Sequence, residues 1–396
     1  MGDGVTAPAG EAGAILVVDD VPDNRDALAR RLRRRGYTVT EAAGGREALD
    51  RVAGGDFDLV LLDVMMPDVN GLDVLRDVRR TRSPVDLPVI MATARAAGED
   101  VVRALELGAN DYVTKPLDFP VVFARVRTQL ALRRAVRRAL DLEGRLRRDL
   151  AAAARVQASL LPRGPVTAPG FTFAWAFRPC DELAGDALNV SPLDDHRTAV
   201  YVLDVSGHGV ASALLAVTVA RVLSPAAGQD SLLLQPGDDP DRVVPPAAVA
   251  DRLAAQFPFD PATEQFFTLV YGVLDARTRE FRYVSAGHPP VIHVPRAGQP
   301  APLPAAGLPV GLGGGYEEHA VRLSPGDRLY LYSDGIPEAM TPGGEPFGTA
   351  RLVAALARGR GEPLAGSVAG LEADVRGWCG AAAPRDDMSV LAVEAG

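Results

Sequence analysis

The most constraining feature of the sequence is an alternation confined to its first third. Between Ala14 and about Leu130, short continuous apolar runs are separated by amphipathic helical patterns. The runs are Ala14–Val18, Leu59–Leu62, Pro88–Met91 and Asp111–Val113, with a weaker one at Tyr37–Thr40. Strands that are apolar on successive residues are buried on both faces, which requires a parallel sheet covered by helices on either side. In such a doubly wound sheet the carboxyl ends of the strands line one edge, and ligands bind there. Asp19 and Asp20 follow the first run, Asp63 the third, Thr93 the fourth and Lys115 the fifth. Three carboxylates on one edge repel one another unless a hard cation joins them, and Mg²⁺ suits all-oxygen ligands. With Lys115 it would neutralise an incoming phosphoryl group, with Asp63 as nucleophile and the Thr93 hydroxyl as donor. Alone, each of these residues reads as an ordinary turn or cap residue. Five of them on one edge read as a pocket.

Composition limits the rest. A chain of 396 residues has room for two or three domains, and 47% apolar with 23% charged residues and a net charge of −9 describes globular rather than disordered protein. Residues 1–13 are small and polar and read as a disordered tail. No apolar run approaches the ~20 residues of a membrane span, and no basic-then-apolar leader pattern opens the sequence, so no membrane partner is expected. Two distant cysteines, Cys180 and Cys379, exclude a disulfide framework and a cysteine-rich zinc site, and suit a reducing cytoplasm. Of 42 basic residues, 41 are arginine and one, Lys115, is lysine. Either that lysine is residual noise in an arginine-biased composition, or its position needs a compact ammonium that a guanidinium cannot replace.

From Arg125 to Arg155 ten arginines face three acids, Asp141, Glu143 and Asp149, a local net of +7 that leaves −16 for the remainder. Positions 132, 136, 139, 143, 146, 150, 153, 157 and 160 keep alternating 4-3 spacing, and all but Glu143 and Gln157 are apolar. The pattern is a long helix with a coiled-coil seam, stopped by Pro162. Its arginines read as a solvated face, since no aromatics interleave with them and no nucleic-acid reading motif follows. Nucleic acid is not an expected partner.

Beyond about Phe171, short strands at Thr198–Leu203, Thr268–Leu274, Phe281–Val284, Arg328–Leu331 and Ser389–Val393 outnumber helices near Ala211–Val222, Pro246–Gln256 and Ala350–Ala357. This is an α+β, mainly antiparallel pattern. It carries four acidic strings: CDELAGDALNV (180–190), LDVSGHG (203–209), LYSDGIPEA (331–339) and PRDDMSV (384–390). Asp186, Asp204, Asp334 and Asp386 or Asp387 stand at strand ends or turns, mostly beside glycine. Each Asp-Gly alone is a common turn. Together they form an oxygen-only donor set for Mg²⁺ or Mn²⁺ rather than zinc. Two such ions ~3.5–4 Å apart lower the pKa of a bridging water and stabilise in-line displacement at phosphorus. His208, in an S-G-H-G turn, reads as a structural or supporting group. A Ser/His/Asp hydrolase is a poor rival, because no G-x-S-x-G elbow occurs.

The strings ILVVDD (15–20), DLVLLDVMMPDVNG (58–71), MATA (91–94) and DYVTKP (111–116) resemble the response-regulator receiver domain. The resemblance implies a flavodoxin-like five-stranded parallel sheet with Asp63 as phosphoacceptor. Asp19 and Asp20, with Asp63, would hold Mg²⁺, Thr93 and Tyr112 would form a switch pair, and Lys115 would contact the phosphate. The four acidic strings, with VQASLLP (156–162), FTLVYGVLD (267–275), YVSAGHPP (283–290) and LPVGL (308–312), resemble the metal-dependent type 2C (PPM-type) protein phosphatases, in their SpoIIE branch. That resemblance implies a layered β-sandwich flanked by helices, binding two Mn²⁺ or Mg²⁺ ions. The ligands it implies are Asp186, Asp204, the Val205 carbonyl, Asp334 and Asp386, with Asp387 a neighbour and Arg178 a candidate for contacting phosphate. Asn189 departs from the pattern, standing where many members carry an acid.

The expected organisation is multidomain: a receiver at 14–124, a helical coiled-coil linker at 125–162 and a phosphatase at 163–396. The resemblance implies a metal-dependent serine/threonine phosphatase switched by an upstream histidine kinase acting on Asp63. It also implies a phosphorylated partner protein, such as an anti-sigma-factor antagonist, as substrate, and the seam suggests a homodimer. Two rivals are a phosphatase-fold module that only docks a partner and a DNA-binding regulator. The complete Asp set opposes the first, and the absence of a helix-turn-helix signal after residue 130 opposes the second.

Overall fold

A computed structural model describes residues 13–94, 98–162, 166–235, 242–262, 264–382 and 384–396. The expected N-terminal tail, apart from Gly13, lies outside them. The chain divides into two compact units, Met1–Leu146 and Arg147–Gly396.

The first unit runs β1 (Ala14–Val18), α1 (Pro22–Arg34), β2 (Thr38–Ala42), α2 (Gly45–Gly54), β3 (Leu59–Asp63), α3 (Gly71–Arg79), β4 (Val89–Ala94), α4 (Gly98–Glu106) and β5 (Asp111–Lys115), then enters α5 (Phe119–Ala158). All strand pairs are parallel, in the order β2-β1-β3-β4-β5. The continuous apolar runs do what their lack of alternation requires. Leu16, Val18, Val60 and Leu62 face one apolar cluster, Ile15, Val17, Leu59 and Leu61 the other. Each buried aliphatic side chain contributes roughly 1.5–3 kcal/mol, and burial on both faces fixes the register.

The long helix is present, and it ends at Ala158, before Pro162. Its first turns are not free linker: Val122, Val126 and Leu130 are buried in the core of the first unit. The buried Arg133 donates to the Asp86 carbonyl at 2.8 Å and pairs with Asp58.

The second unit continues with β6 (Thr167–Ala168), β7 (Phe171–Arg178), β8 (Asp186–Pro192), β9 (Arg197–Val205), α6 (Val210–Val222), α7 (Pro246–Gln256), β10 (Phe267–Asp275), β11 (Glu280–Ala286), β12 (Ile292–Val294), β13 (Ala301–Pro302), β14 (His319–Arg322), β15 (Arg328–Tyr332), α8 (Gly348–Arg358), α9 (Leu364–Cys379) and β16 (Met388–Ala395). Two antiparallel sheets result, β14-β11-β10-β9-β8 and β13-β12-β15-β16-β7-β6. Alternate residues sort to opposite faces. Val200 and Val202 of β9 meet Leu329, Leu331, Leu391 and Val393 between the sheets. Tyr201 and Leu203 pack with residues of α6 and α7, and Tyr330, Tyr332, Val390 and Ala392 with α8 and α9. The unit is a helix–sheet–sheet–helix sandwich. Among the described residues no helix is long and apolar enough to cross a membrane.

Candidate functional sites

The parallel sheet places the first constellation as its topology requires. Asp19 and Asp63 are buried, Asp20 is half-buried, and a carboxylate oxygen of each lies within 4.8 Å of the others. Lys115, at the end of β5, reaches between two of them, with Nζ 2.9 Å from Asp19 Oδ2 and 2.6 Å from Asp63 Oδ2. Burial is the main influence on Asp63 and raises its pKa; Lys115 opposes the rise and Asp19 adds to it. Burial also opposes the charge on Lys115, but its bonds to Asp63 and Asp19 outweigh that and raise its pKa. One ammonium among three carboxylates leaves the pocket short of positive charge, and the donors are all oxygen, so the site fits a hard divalent cation.

Local sequence sets this geometry. Asn70 caps α3 by accepting the Asp73 N–H at 2.9 Å. A Cβ at Gly71 would stand 2.1 Å from the Asp63 carbonyl, so only glycine lets the helix start so close to the end of β3. Thr93 is buried beside the pocket at the end of β4. Tyr112 is half-buried on β5, opposite Met91, with the Arg125 guanidinium 5.5 Å from its ring centroid. Arg125, which also pairs with Asp111, reads in the sequence as one more arginine of the basic helix. Only the fold shows it against Tyr112.

The second constellation converges where the two sheets of the sandwich meet. Asp186 opens β8 directly opposite Asp204 near the end of β9. Asp334 follows β15, and Asp386 and Asp387 precede β16. A Cβ at Gly335 would lie 2.0 Å from the Asp387 carbonyl, so the Asp-Gly pair allows these two turns to touch. Asp186 is buried and accepts from Ser389 Oγ at 2.6 Å. Burial and the Asp204 carboxylate hold its pKa well above the usual range. Burial, with Asp334 and Asp386 next in effect, pushes Asp204 up to about 7. Asp334 is raised by burial and Asp386, and Asp386 by burial against the Asp387 N–H. Among the described residues no arginine or lysine pairs with any of the four. Buried carboxylates with raised pKa values and oxygen-only donors make a set that fits divalent metal.

The structure separates the two adjacent aspartates. Asp387 is buried and its oxygens are spent on backbone N–H groups: Cys180 at 2.8 Å, Gly185 at 2.7 Å and Asp186 at 3.3 Å. It braces the loop before β8 against β16. Asp386 accepts only from the Asp387 N–H among the described bonds, at 2.8 Å. Cys180, whose sulfur lies within 4.8 Å of both, has its thiol pushed up to about 12 by burial and Asp387.

The remaining predicted residues lie at the margin. The Val205 carbonyl lies beside Gly185, at 3.0 Å from where that residue's Cβ would stand. His208 has a 75% exposed side chain, with Nδ1 3.4 Å from Asp181. Arg178 is exposed and paired with Glu372 of α9. Asn189 points the other way from Asp186 along β8, and its Nδ2 donates to the Leu160 carbonyl at 3.0 Å. Ser389, Ser333 and Gln157 bear on the centre without having stood out in the sequence as site residues. Gln157 left one trace, as a polar exception in an apolar seam.

Comparisons with known proteins follow this division. The model of the response regulator receiver domain matches residues 15–127, and that of Stage II sporulation protein E (SpoIIE) matches residues 194–396, half of the chain. Over 120 residues the chain is 47% identical to the uncharacterized transcriptional regulatory protein YkoG of Bacillus subtilis, covering 30% of this chain and 52% of that one. Over 136 residues it is 46% identical to the transcriptional regulatory protein TcrA of Mycobacterium tuberculosis, covering 34% and 53%. The chain thus spans about half the length of the curated relatives it matches. The SiaA-PP2C domain of Pseudomonas aeruginosa superposes with a TM-score of 0.54 at 20% identity, over 64% of this chain and 99% of that one, a likeness of fold. Receiver pocket, carboxylate sandwich and family models agree: the chain belongs to the Stage II sporulation protein E family, a PP2C-type phosphatase domain preceded by a response regulator receiver domain.

Proposed function

We propose that the chain is a response regulator whose output is metal-dependent hydrolysis of phosphoserine or phosphothreonine on a partner protein. The observation that carries this is the convergence of Asp186, Asp204, Asp334 and Asp386, each with its pKa raised first by burial and none paired with a described arginine or lysine. In this reading those four carboxylates and the Val205 carbonyl hold two Mn²⁺ or Mg²⁺ ions. Such ions supply a nucleophilic water at neutral pH and neutralise charge developing at phosphorus. The protein's own part is placement: Asp387 fixes the Gly185–Asp186 backbone, and Ser389 orients the Asp186 carboxylate. His208, at the exposed rim, is a supporting group.

In the receiver, Asp63 accepts a phosphoryl group from an upstream histidine kinase, with Mg²⁺ on Asp19, Asp20 and Asp63, and Lys115, Thr93 and Tyr112 respond to it. The helix of the 125–162 linker carries that response, through altered pairing in a homodimer, to the 163–396 phosphatase. The substrate class is a small phosphorylated signalling protein of the anti-sigma-factor-antagonist kind, and the setting is the cytoplasm. These assignments rest on the family and on the motifs.

The test is hydrolysis of a phosphothreonine peptide by the full chain with added Mn²⁺. Chelation abolishes the activity and Mn²⁺ restores it. Asp204→Asn and Asp334→Asn each lower the rate by about 100-fold or more, the upper end of what a lost supporting residue alone costs at a metal centre. Activity unchanged by both substitutions refutes the site. A protein that binds the phosphopeptide without hydrolysing it is the docking module instead.

A further inference from the structure

The end of α5 and the residues just after it are joined to β8 and the segment before it by two side-chain amides. Gln157, only 7% exposed, donates from Nε2 to the Ala184 carbonyl at 2.6 Å and accepts the Ala184 N–H on Oε1 at 3.0 Å. From β8, Asn189 returns a bond to the Leu160 carbonyl at 3.0 Å. Between these two attachments lie Gly185 and Asp186. Ala184 is fully buried and outside any strand, so the Gln157 amide takes the place a neighbouring strand would have as its backbone partner. The two following N–H groups go to Asp387. The peptide planes that aim Asp186 at Asp204 are therefore held from two directions: by Asp387 ahead of β16 and by Gln157 of the helix.

We propose that Gln157 is a positioning residue through which the end of α5 sets the metal affinity of the Asp186–Asp204 centre, with Asn189 as its counterpart on β8. The proposal rests on Asp186 and Asp204 being metal ligands. When Gln157 leaves, two buried backbone groups lose their partner and turn toward other partners. That rotates the 184–185 peptide, and Asp186 with it. The position of Asn189 also acquires a reason. A carboxylate there could not donate to the Leu160 carbonyl, whereas the amide can.

Calorimetric titration of the metal-free full chain with Mn²⁺ tests this. The difference between wild type and Asp204→Asn isolates the phosphatase unit's binding from that of the receiver. Gln157→Ala weakens that component at least tenfold and leaves the receiver component unchanged. Gln157→Glu keeps the acceptor for the Ala184 N–H but loses the donor, and falls between the two. In hydrolysis assays the half-saturating Mn²⁺ concentration rises while the phosphopeptide KM holds. Thermal unfolding of the same metal-free samples separates a merely structural role. A lower melting temperature with unchanged Mn²⁺ affinity overturns the proposal. If Gln157→Ala fails to fold, Asn189→Ala and Gln157→Glu are read in the same way. A wild-type isotherm that Asp204→Asn does not alter refutes the metal reading itself. Wild-type binding that Gln157→Ala matches refutes the role of Gln157 alone.

Discussion

At the scale of single residues, Lys115 shows how composition becomes mechanism. A chain that uses arginine at 41 of 42 basic positions keeps its one lysine where Nζ sits 2.9 and 2.6 Å from two buried carboxylates. A planar guanidinium presents its donors in a fixed fork and cannot place one compact charge between Asp19 and Asp63 without displacing them. Lys115→Arg is therefore expected to take up a phosphoryl mimic at Asp63 while losing its effect on phosphatase rate. Intact switching in that variant counts against the argument. A second residue makes a pH prediction. His288 is buried with Nδ1 2.7 Å from Thr268 Oγ1, and burial pushes its pKa down to about 3. The unfolded chain takes up this proton from about pH 6.5 downward, whereas the native imidazole does not until about pH 3. Stability is thus lost as pH falls through that window, at up to about 1.4 kcal/mol per pH unit. His288→Asn keeps a partner for Thr268 and removes the titration. Between pH 6.5 and 4.5 its unfolding free energy should fall less than that of wild type in urea titrations, and parallel curves contradict the assignment.

At the scale of elements, α5 shows what a heptad pattern can and cannot say. Seam residues Leu132 and Leu146 are exposed, whereas Gln157 is buried in the phosphatase unit and Leu160 packs against its α6–α7 core. The sequence shows one seam of nine positions, but the last two belong to a docking site that only the β8 strand reveals. In the proposed dimer a second copy covers the free part of the seam, and two leucines so buried would contribute roughly 1.5–3 kcal/mol each. Leu132→Asp with Leu146→Asp should shift the chain toward monomer in sedimentation equilibrium without altering its circular dichroism, and an unchanged dimer removes the seam from the interface. Legibility varied for the same kind of reason. The receiver strands are readable because both faces are buried and every residue is apolar. Strand β8, DALNVSP, opens on Asp and includes Asn, Ser and Pro, all poor strand formers. It exists because β9 pairs with it along its whole length. Helix α9 carries Gly366, Gly370 and Gly377, which dilute its helical signal. Burial of Leu364, Val368, Leu371, Val375 and Cys379 sustains it. Asp63 and the four acidic strings could be found in the sequence because glycine and strand ends mark them. Asp387 could not be told from Asp386 until the backbone donors around it were in place.

At the scale of the whole chain, one helix takes part in both units. Its first turns supply Val122, Val126 and Leu130 to the receiver core, and its last turn supplies Gln157 to the phosphatase. The same helix carries a local net charge of +7 from ten arginines against three acids over 125–155. Two parallel copies of so basic a helix repel, and salt screens the repulsion. In the proposed dimer, apolar seam and like charge therefore oppose each other, so a modest input suffices to shift the pairing. Coupling of about 1–3 kcal/mol, a 5–150-fold change, is all that regulation needs. The measurement is the phosphatase rate of wild type and Asp63→Asn, each with and without beryllofluoride, at fixed ionic strength. Wild type should change rate within that range on adding the mimic, and Asp63→Asn should not respond. Raising the salt should move the unmodified wild type toward the paired state, and the size of the response should change with it. Equal rates in all four samples mean that the receiver does not gate the phosphatase.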